Sequence, residues 1–121
     1  MKNARRDLGV WGEKKAIDYL IERGYKILAK NVRTLYGEID VVAQKNEIYV
    51  FVEVKTRQTK TFGNPEDSIT RTKKEHMVNS AQEYMMTHAD GDDIWQIDVI
   101  SIEILQTDFY KIHHFENAIR E

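Results

Sequence analysis

This chain contains no cysteine, so neither disulfides nor thiolate metal ligands enter its chemistry. One proline and six glycines in 121 residues are too few for a disordered or low-complexity chain. No apolar run approaches the roughly 20 residues that a membrane-crossing helix needs, and the N-terminal stretch lacks the apolar core of a secretory signal. These absences lead us to expect a cytoplasmic protein without membrane attachment. There is no internal repeat, and the length suits one domain, residues 1–121, with a modest core. A strong positive charge is also missing: the net charge is -2. Its distribution is uneven. Residues 1–60 hold 13 Lys and Arg against 8 Asp and Glu, and residues 61–121 hold 5 against 12. The basic half would suit a polyanion docking on one side, although charge runs are commonly just solvated faces.

What the chain does have is acids inside strand-like apolar runs. Gly37-Glu38-Ile39-Asp40 leads into Val41-Val42-Ala43, and Glu53 sits within Phe51-Val52-Glu53-Val54-Lys55. A carboxylate there is costly unless something pairs with it. A two-residue hairpin turn at Lys45-Asn46 would set Asp40 opposite Phe51 and Glu38 opposite Glu53. Glu38, Asp40, Val42, Tyr49, Phe51, Glu53 and Lys55 would then share one face, and Ile39, Val41, Ala43, Val50, Val52 and Val54 the other. Asp40 and Glu53 become diagonal neighbours, roughly 7–8 Å apart at the backbone. Two carboxylates with a lysine on one face suggest a Mg²⁺ or Mn²⁺ site for phosphodiester chemistry.

Around this pair the pattern reads α-β-β-β-α-β-β. Residues 4–23 show helical spacing, with Ala16, Ile17, Leu20 and Ile21 on one stripe and Gly24 as the stop. Glu13 shares that stripe. It is either a solvated glutamate at the stripe's edge or a third carboxylate presented to Asp40 and Glu53. Gly9 and Gly12 inside the helix suggest a close neighbour. Residues 25–33 read as a strand, and Thr34-Leu35-Tyr36-Gly37 as a turn. Residues 57–65 read as a polar, mobile loop at the rim of the site. A second helix fits from residue 65 or 69 to 87, with a stripe of Ile69, Lys73, Met77, Ala81, Tyr84 and His88. Residues 94–105 form a strong strand with Asp98 as a buried structural acid. Residues 109–115 form a short last strand, after which a helical turn is expected. His113 and His114 are adjacent, so in a strand they point to opposite faces and make a poor metal pair. The step from residue 47 to 105 is long enough for a parallel crossover. Together these elements give an α/β chain with a mixed sheet flanked by helices.

With these residues in view, the chain resembles the YraN-like bacterial proteins, uncharacterised protein family 0102. The resemblance rests on residues 9–16 (GVWGEKKA), Asn31-Val32-Arg33, residues 37–42 (GEIDVV), residues 51–57 (FVEVKTR), residues 62–65 (FGNP), Lys73-Lys74, residues 96–99 (QIDV) and residues 113–118 (HHFENA). That family in turn resembles the PD-(D/E)XK nucleases, with their restriction-endonuclease-like αβββαβ core, and especially archaeal Holliday-junction resolvases. The resemblance implies Asp40 and Glu53 as metal-binding acids, Lys55 as the catalytic lysine and Glu13 as a helix-borne glutamate. Two positions depart from the pattern: Ile39 stands where the superfamily has proline, and Gln96-Ile97-Asp98 where Arg-Phe-Asp is expected.

The implied function is metal-dependent hydrolysis of DNA phosphodiester bonds, with branched or junction DNA among the substrates. The Val54 carbonyl would be a further metal ligand, and resolvase-like relatives suggest a homodimer. Arg57, Lys60, Arg33 and Lys73 are candidate DNA contacts. Arg5, Arg6 and Lys14 are further candidates. A binding module of the same fold without catalysis is the alternative. In that case Lys55 merely neutralises Glu53 and Asp40. A protein-interaction domain with structural acids is a third class.

Overall fold

The computed structural model describes residues 4–58, 69–89, 93–106 and 109–120. Helix α1 spans Ala4–Glu22, followed by strands β1 (Lys26–Thr34), β2 (Gly37–Lys45) and β3 (Ile48–Gln58). Helix α2 (Arg71–His88) leads to β4 (Trp95–Gln106) and β5 (Phe109–Ile119). The five strands form one sheet in the order β1-β2-β3-β4-β5. All neighbours are antiparallel except β3 and β4, which are parallel. A parallel pair needs a long connection, and the chain segment containing α2 provides it. This is the mixed α/β sheet with an αβββαβ core that the element order implied, with β5 added at the edge. Among the described residues, no helix is long and apolar enough to cross a membrane.

Each helix covers one face. Ala16 and Leu20 of α1 are wholly buried against Val41, Ala43, Val50, Val52, Ile100 and Ile102. Ala81, Tyr84 and Met85 of α2 pack with Val42, Phe51, Ile97 and Val99 on the opposite face. The alternation of β3 is therefore read as expected, odd residues toward α2 and even residues toward α1. Ile39 is an exception. It joins Val42 and Phe51 in the α2 core, beyond the last β2–β3 pair, where β2 is paired only with β1. Ile21 is another: it is 54% exposed, past the edge of the stripe that Leu20 buries.

Local signals set the element ends. Gly24, at φ 88, closes α1: its N–H donates to the Ile21 carbonyl and that of Tyr25 to the Leu20 carbonyl, both at 3.0 Å. Thr70 caps α2, its side chain accepting from the Lys73 N–H at 3.1 Å. The β2–β3 turn lies at Asn46-Glu47, not Lys45-Asn46. Both residues have positive φ, 52 and 66, and Lys45 pairs with Ile48. The shift slides β3 by two residues, so face parity survives. Residues 57 and 58 continue β3 rather than opening a loop, because β4 pairs with them through Glu103 and Ile104. The remainder of the expected loop, including Lys60, lies outside the described residues. The last strand runs to Ile119 with no helical end, since β4 keeps pairing with it.

Candidate metal and phosphate site

The β2–β3 ladder runs from Lys45↔Ile48 to Val41↔Val52 and ends there. The next pair in that register would be Asp40 and Glu53, directly opposite rather than diagonal. Here the strands part. The Val54 N–H donates to Asp40 Oδ2 at 2.8 Å, so a carboxylate takes the place of a β2 carbonyl. Meanwhile β2 stays paired with β1 down to Thr34↔Gly37. The acid pair thus occupies a fork between two strands that are joined on one side only.

Charge is arranged asymmetrically around the fork. Glu53 is 6% exposed and faces two ammonium groups, Lys73 Nζ at 3.5 Å and Lys55 Nζ at 3.8 Å. Lys73 reaches it from α2, so the helix-stripe lysine joins the site. Asp40 has no such partner among the described salt bridges. Burial pushes its carboxyl up to about 7, and the nearby Glu53 charge adds to this. The Val54 N–H opposes the rise, while the Glu13 charge and a hydrogen bond with the Glu53 carboxyl reinforce it. Near neutral pH the Asp40 carboxyl therefore holds a proton part of the time unless a cation lies beside it.

Helix α1 brings Glu13 close through a tight contact. A Cβ on Gly12 would fall 1.8 Å from Thr56 Oγ1 and 2.9 Å from Thr56 Cβ, so only glycine lets the helix lie this near β3. Gly9, by contrast, has no such neighbour within 4 Å. Glu13 Oε1 accepts from Asn31 Nδ2 at 2.8 Å, and the same nitrogen donates to Glu38 Oε1 at 3.0 Å. Asn31 is among the residues that carry the family resemblance, but sequence reasoning assigned it no role at the site. Its one signal is a turn-favouring residue placed inside a strand pattern.

The donor set suits a hard divalent cation. Every side-chain donor at the fork is oxygen, as Mg²⁺ and Mn²⁺ prefer. In an extended strand the N–H and C=O of one residue leave the same edge, so the Val54 carbonyl also looks toward β2. Among the described residues, no three acidic, His or Cys side chains are already set to hold a metal ion. The converging pair is Asp40 and Glu53, with Glu13 turned to Asn31.

Other expected contacts lie further out. Arg33 is exposed on β1, in register with Glu38. Arg57 is half-buried in β3, 3.6 Å from Glu103. Asp98 is fully buried and structural, as expected. It accepts from Gln96 Nε2 at 2.8 Å and the Asn117 N–H at 2.8 Å, and pairs with His114 Nε2 at 2.7 Å. His113 stands on the other face, with its Nε2 buried. A wider groove lined by Arg71, Lys74, Glu75 and Arg120 runs along α2, but it holds no buried titratable pair.

Residues 12–102 match the model of the uncharacterised protein family UPF0102. The chain belongs to the UPF0102 family. It is 44% identical to a UPF0102 protein of Thermodesulfovibrio yellowstonii over 115 residues, covering 95% of this chain and 97% of that one. It is 42% identical to a UPF0102 protein of Syntrophomonas wolfei over 113 residues and 40% identical to one of Alkaliphilus oremlandii over 115. Each alignment covers 93% of this chain and 97% of the relative. The region matched by the UPF0102 family model contains Asp40, Glu53, Lys55, Lys73 and Glu13.

Proposed function

We propose that this chain is a Mg²⁺- or Mn²⁺-dependent nuclease that hydrolyses DNA phosphodiester bonds, with branched DNA among its substrates. The observation that carries this reading is the Asp40–Glu53 pair at the open fork of β2 and β3, flanked by Lys55 and Lys73. Asp40, Glu53 and the Val54 carbonyl would hold the cation. When bound, the cation polarises a phosphate oxygen and lowers the pKa of a water. Lys55 would stabilise charge that develops on the phosphoryl oxygens. Lys73 offers a second ammonium on the same face, suited to an adjacent phosphate. Glu13 completes the acidic lining from α1. Arg33 and Arg57 would extend the phosphate path, and two copies acting together would serve a two-stranded substrate.

The test is cleavage of supercoiled, single-stranded and four-way-junction DNA with Mg²⁺ or Mn²⁺. Wild type is expected to cut, while Asp40→Asn, Glu53→Gln and Lys55→Ala lose at least about 100-fold. An Asp40→Asn variant that cleaves like wild type would overturn the proposal. A second reading is a DNA-binding module without catalysis, and one observation favours it. Both lysines already pair with Glu53, as a purely structural cluster would require. Wild type that binds DNA but leaves all three substrates intact would select that reading.

A further inference from the structure

Pairs Lys30↔Val41 and Val32↔Ile39 bracket Asn31 and set it across from Asp40. Asn31, Asp40 and Glu53 therefore lie in one row across β1, β2 and β3. The Asn31 backbone is left-handed, with φ 52, in an otherwise extended strand. Asparagine is among the few residues that tolerate this conformation. Both hydrogen-bond partners of the side chain, Glu13 and Glu38, are carboxylates. Acceptors of this kind require the amide nitrogen rather than its oxygen, and its two hydrogens serve them both.

We propose that Asn31 is a positioning residue that holds the Glu13 carboxylate beside the Asp40–Glu53 pair for cation binding. The inference rests on the cation site proposed above. A glutamate on a half-buried helix surface would otherwise spread over many rotamers, and the hydrogen bond selects one. The choice of amide matters. A lysine or arginine at this place would hold Glu13 equally firmly but cancel its charge. The neutral amide fixes the carboxylate and leaves its charge available to a divalent ion. The effect of Glu13 on the Asp40 carboxyl agrees with this closeness.

The experiment is Mn²⁺ titration by calorimetry of wild type, Asn31→Gly, Glu13→Gln, the double variant and Asp40→Asn. Glycine adopts φ 52 without strain, so Asn31→Gly removes the amide while keeping the backbone, which thermal unfolding verifies. Asn31→Gly is expected to weaken Mn²⁺ binding roughly 10-fold, the loss seen when a ligand's orienting partner is removed. It is expected to have no further effect in the Glu13→Gln background. Wild-type affinity in Asn31→Gly, or an equal loss in both backgrounds, would overturn the role. If wild type does not bind Mn²⁺, or Asp40→Asn binds as wild type does, the cation site itself fails and the role of Asn31 falls with it. That failure is read from those two proteins alone.

Discussion

The fully buried Asp98 on β4 and the half-buried His114 on β5 meet at 2.7 Å, and His114 Nδ1 lies 3.1 Å from the Tyr19 hydroxyl of α1. The chain of three side chains ties the edge strand to the helix. Truncation by His114→Ala leaves the buried Asp98 without its imidazole. It is expected to destabilise the fold by roughly 3 kcal/mol, measured by urea unfolding. The double change Asp98→Asn with His114→Ala should cost less than the sum, because the uncompensated carboxylate is gone.

Asp40 supplies a pH signature. Its carboxyl titrates at about 7 in the fold and at 3.8 in the ordinary state. The native state therefore binds the proton more tightly. This contribution to stability is full below pH 3.8 and is lost as pH rises through 7. Asp40→Asn removes the effect. Without metal it should exceed wild type in stability at pH 8 by about 1–2 kcal/mol, with the difference shrinking toward pH 4. Thermal unfolding across pH checks this, and a constant difference would contradict it.

Lys55 and Lys73 neutralise the same carboxylate from a strand and a helix. Either single alanine variant leaves Glu53 with one ammonium, so each is expected to lose only about 1 kcal/mol. The double variant leaves the buried charge bare and should lose more than the sum by about 1–2 kcal/mol. A double-mutant cycle in denaturant measures the coupling, and strict additivity would show that the two lysines act independently.

Gly12 keeps α1 against β3. Gly12→Ala forces a methyl onto Thr56 Cβ, a position that side-chain rotation cannot clear. A loss of roughly 1–3 kcal/mol is expected, with a weaker Mn²⁺ response because Glu13 moves with the helix. Gly9→Ala meets no neighbour and should leave Mn²⁺ binding unchanged. Equal metal responses in the two variants would separate Glu13 from the close contact.

At the β2–β3 turn, Glu47 holds φ 66, a conformation that favours glycine. Glu47→Gly is expected to raise stability by about 0.5–1 kcal/mol, read as an increased denaturation midpoint.

Much of this arrangement was legible in the residues. Alternation placed Glu53 and Lys55 opposite Val52 and Val54, and the helical stripe identified Ala16 and Leu20. A two-residue slide preserves parity along the ladder, so Glu53 keeps its face despite the misplaced turn, while Asp40 comes to lie directly opposite it instead of diagonal. Asn46 was recognised as a turn residue, but Glu47 was not, since glutamate carries no preference for positive φ. The role of Asn31 escaped because a left-handed residue within a strand leaves no periodic trace. The final strand was cut short because its pairing with β4, rather than its own composition, extends it to Ile119.

The turn at Asn46-Glu47 acts as a ruler for the acids. Twelve residues separate Asp40 from Glu53, and the turn folds them so that both ends coincide. Inserting or deleting one residue there would rotate β3 by a face, sending Glu53 and Lys55 into the α1 core and Val52 and Val54 toward Lys73. Packing and acid geometry would be lost in the same event. Drift in sequence can therefore alter side chains along the hairpin, but not its length.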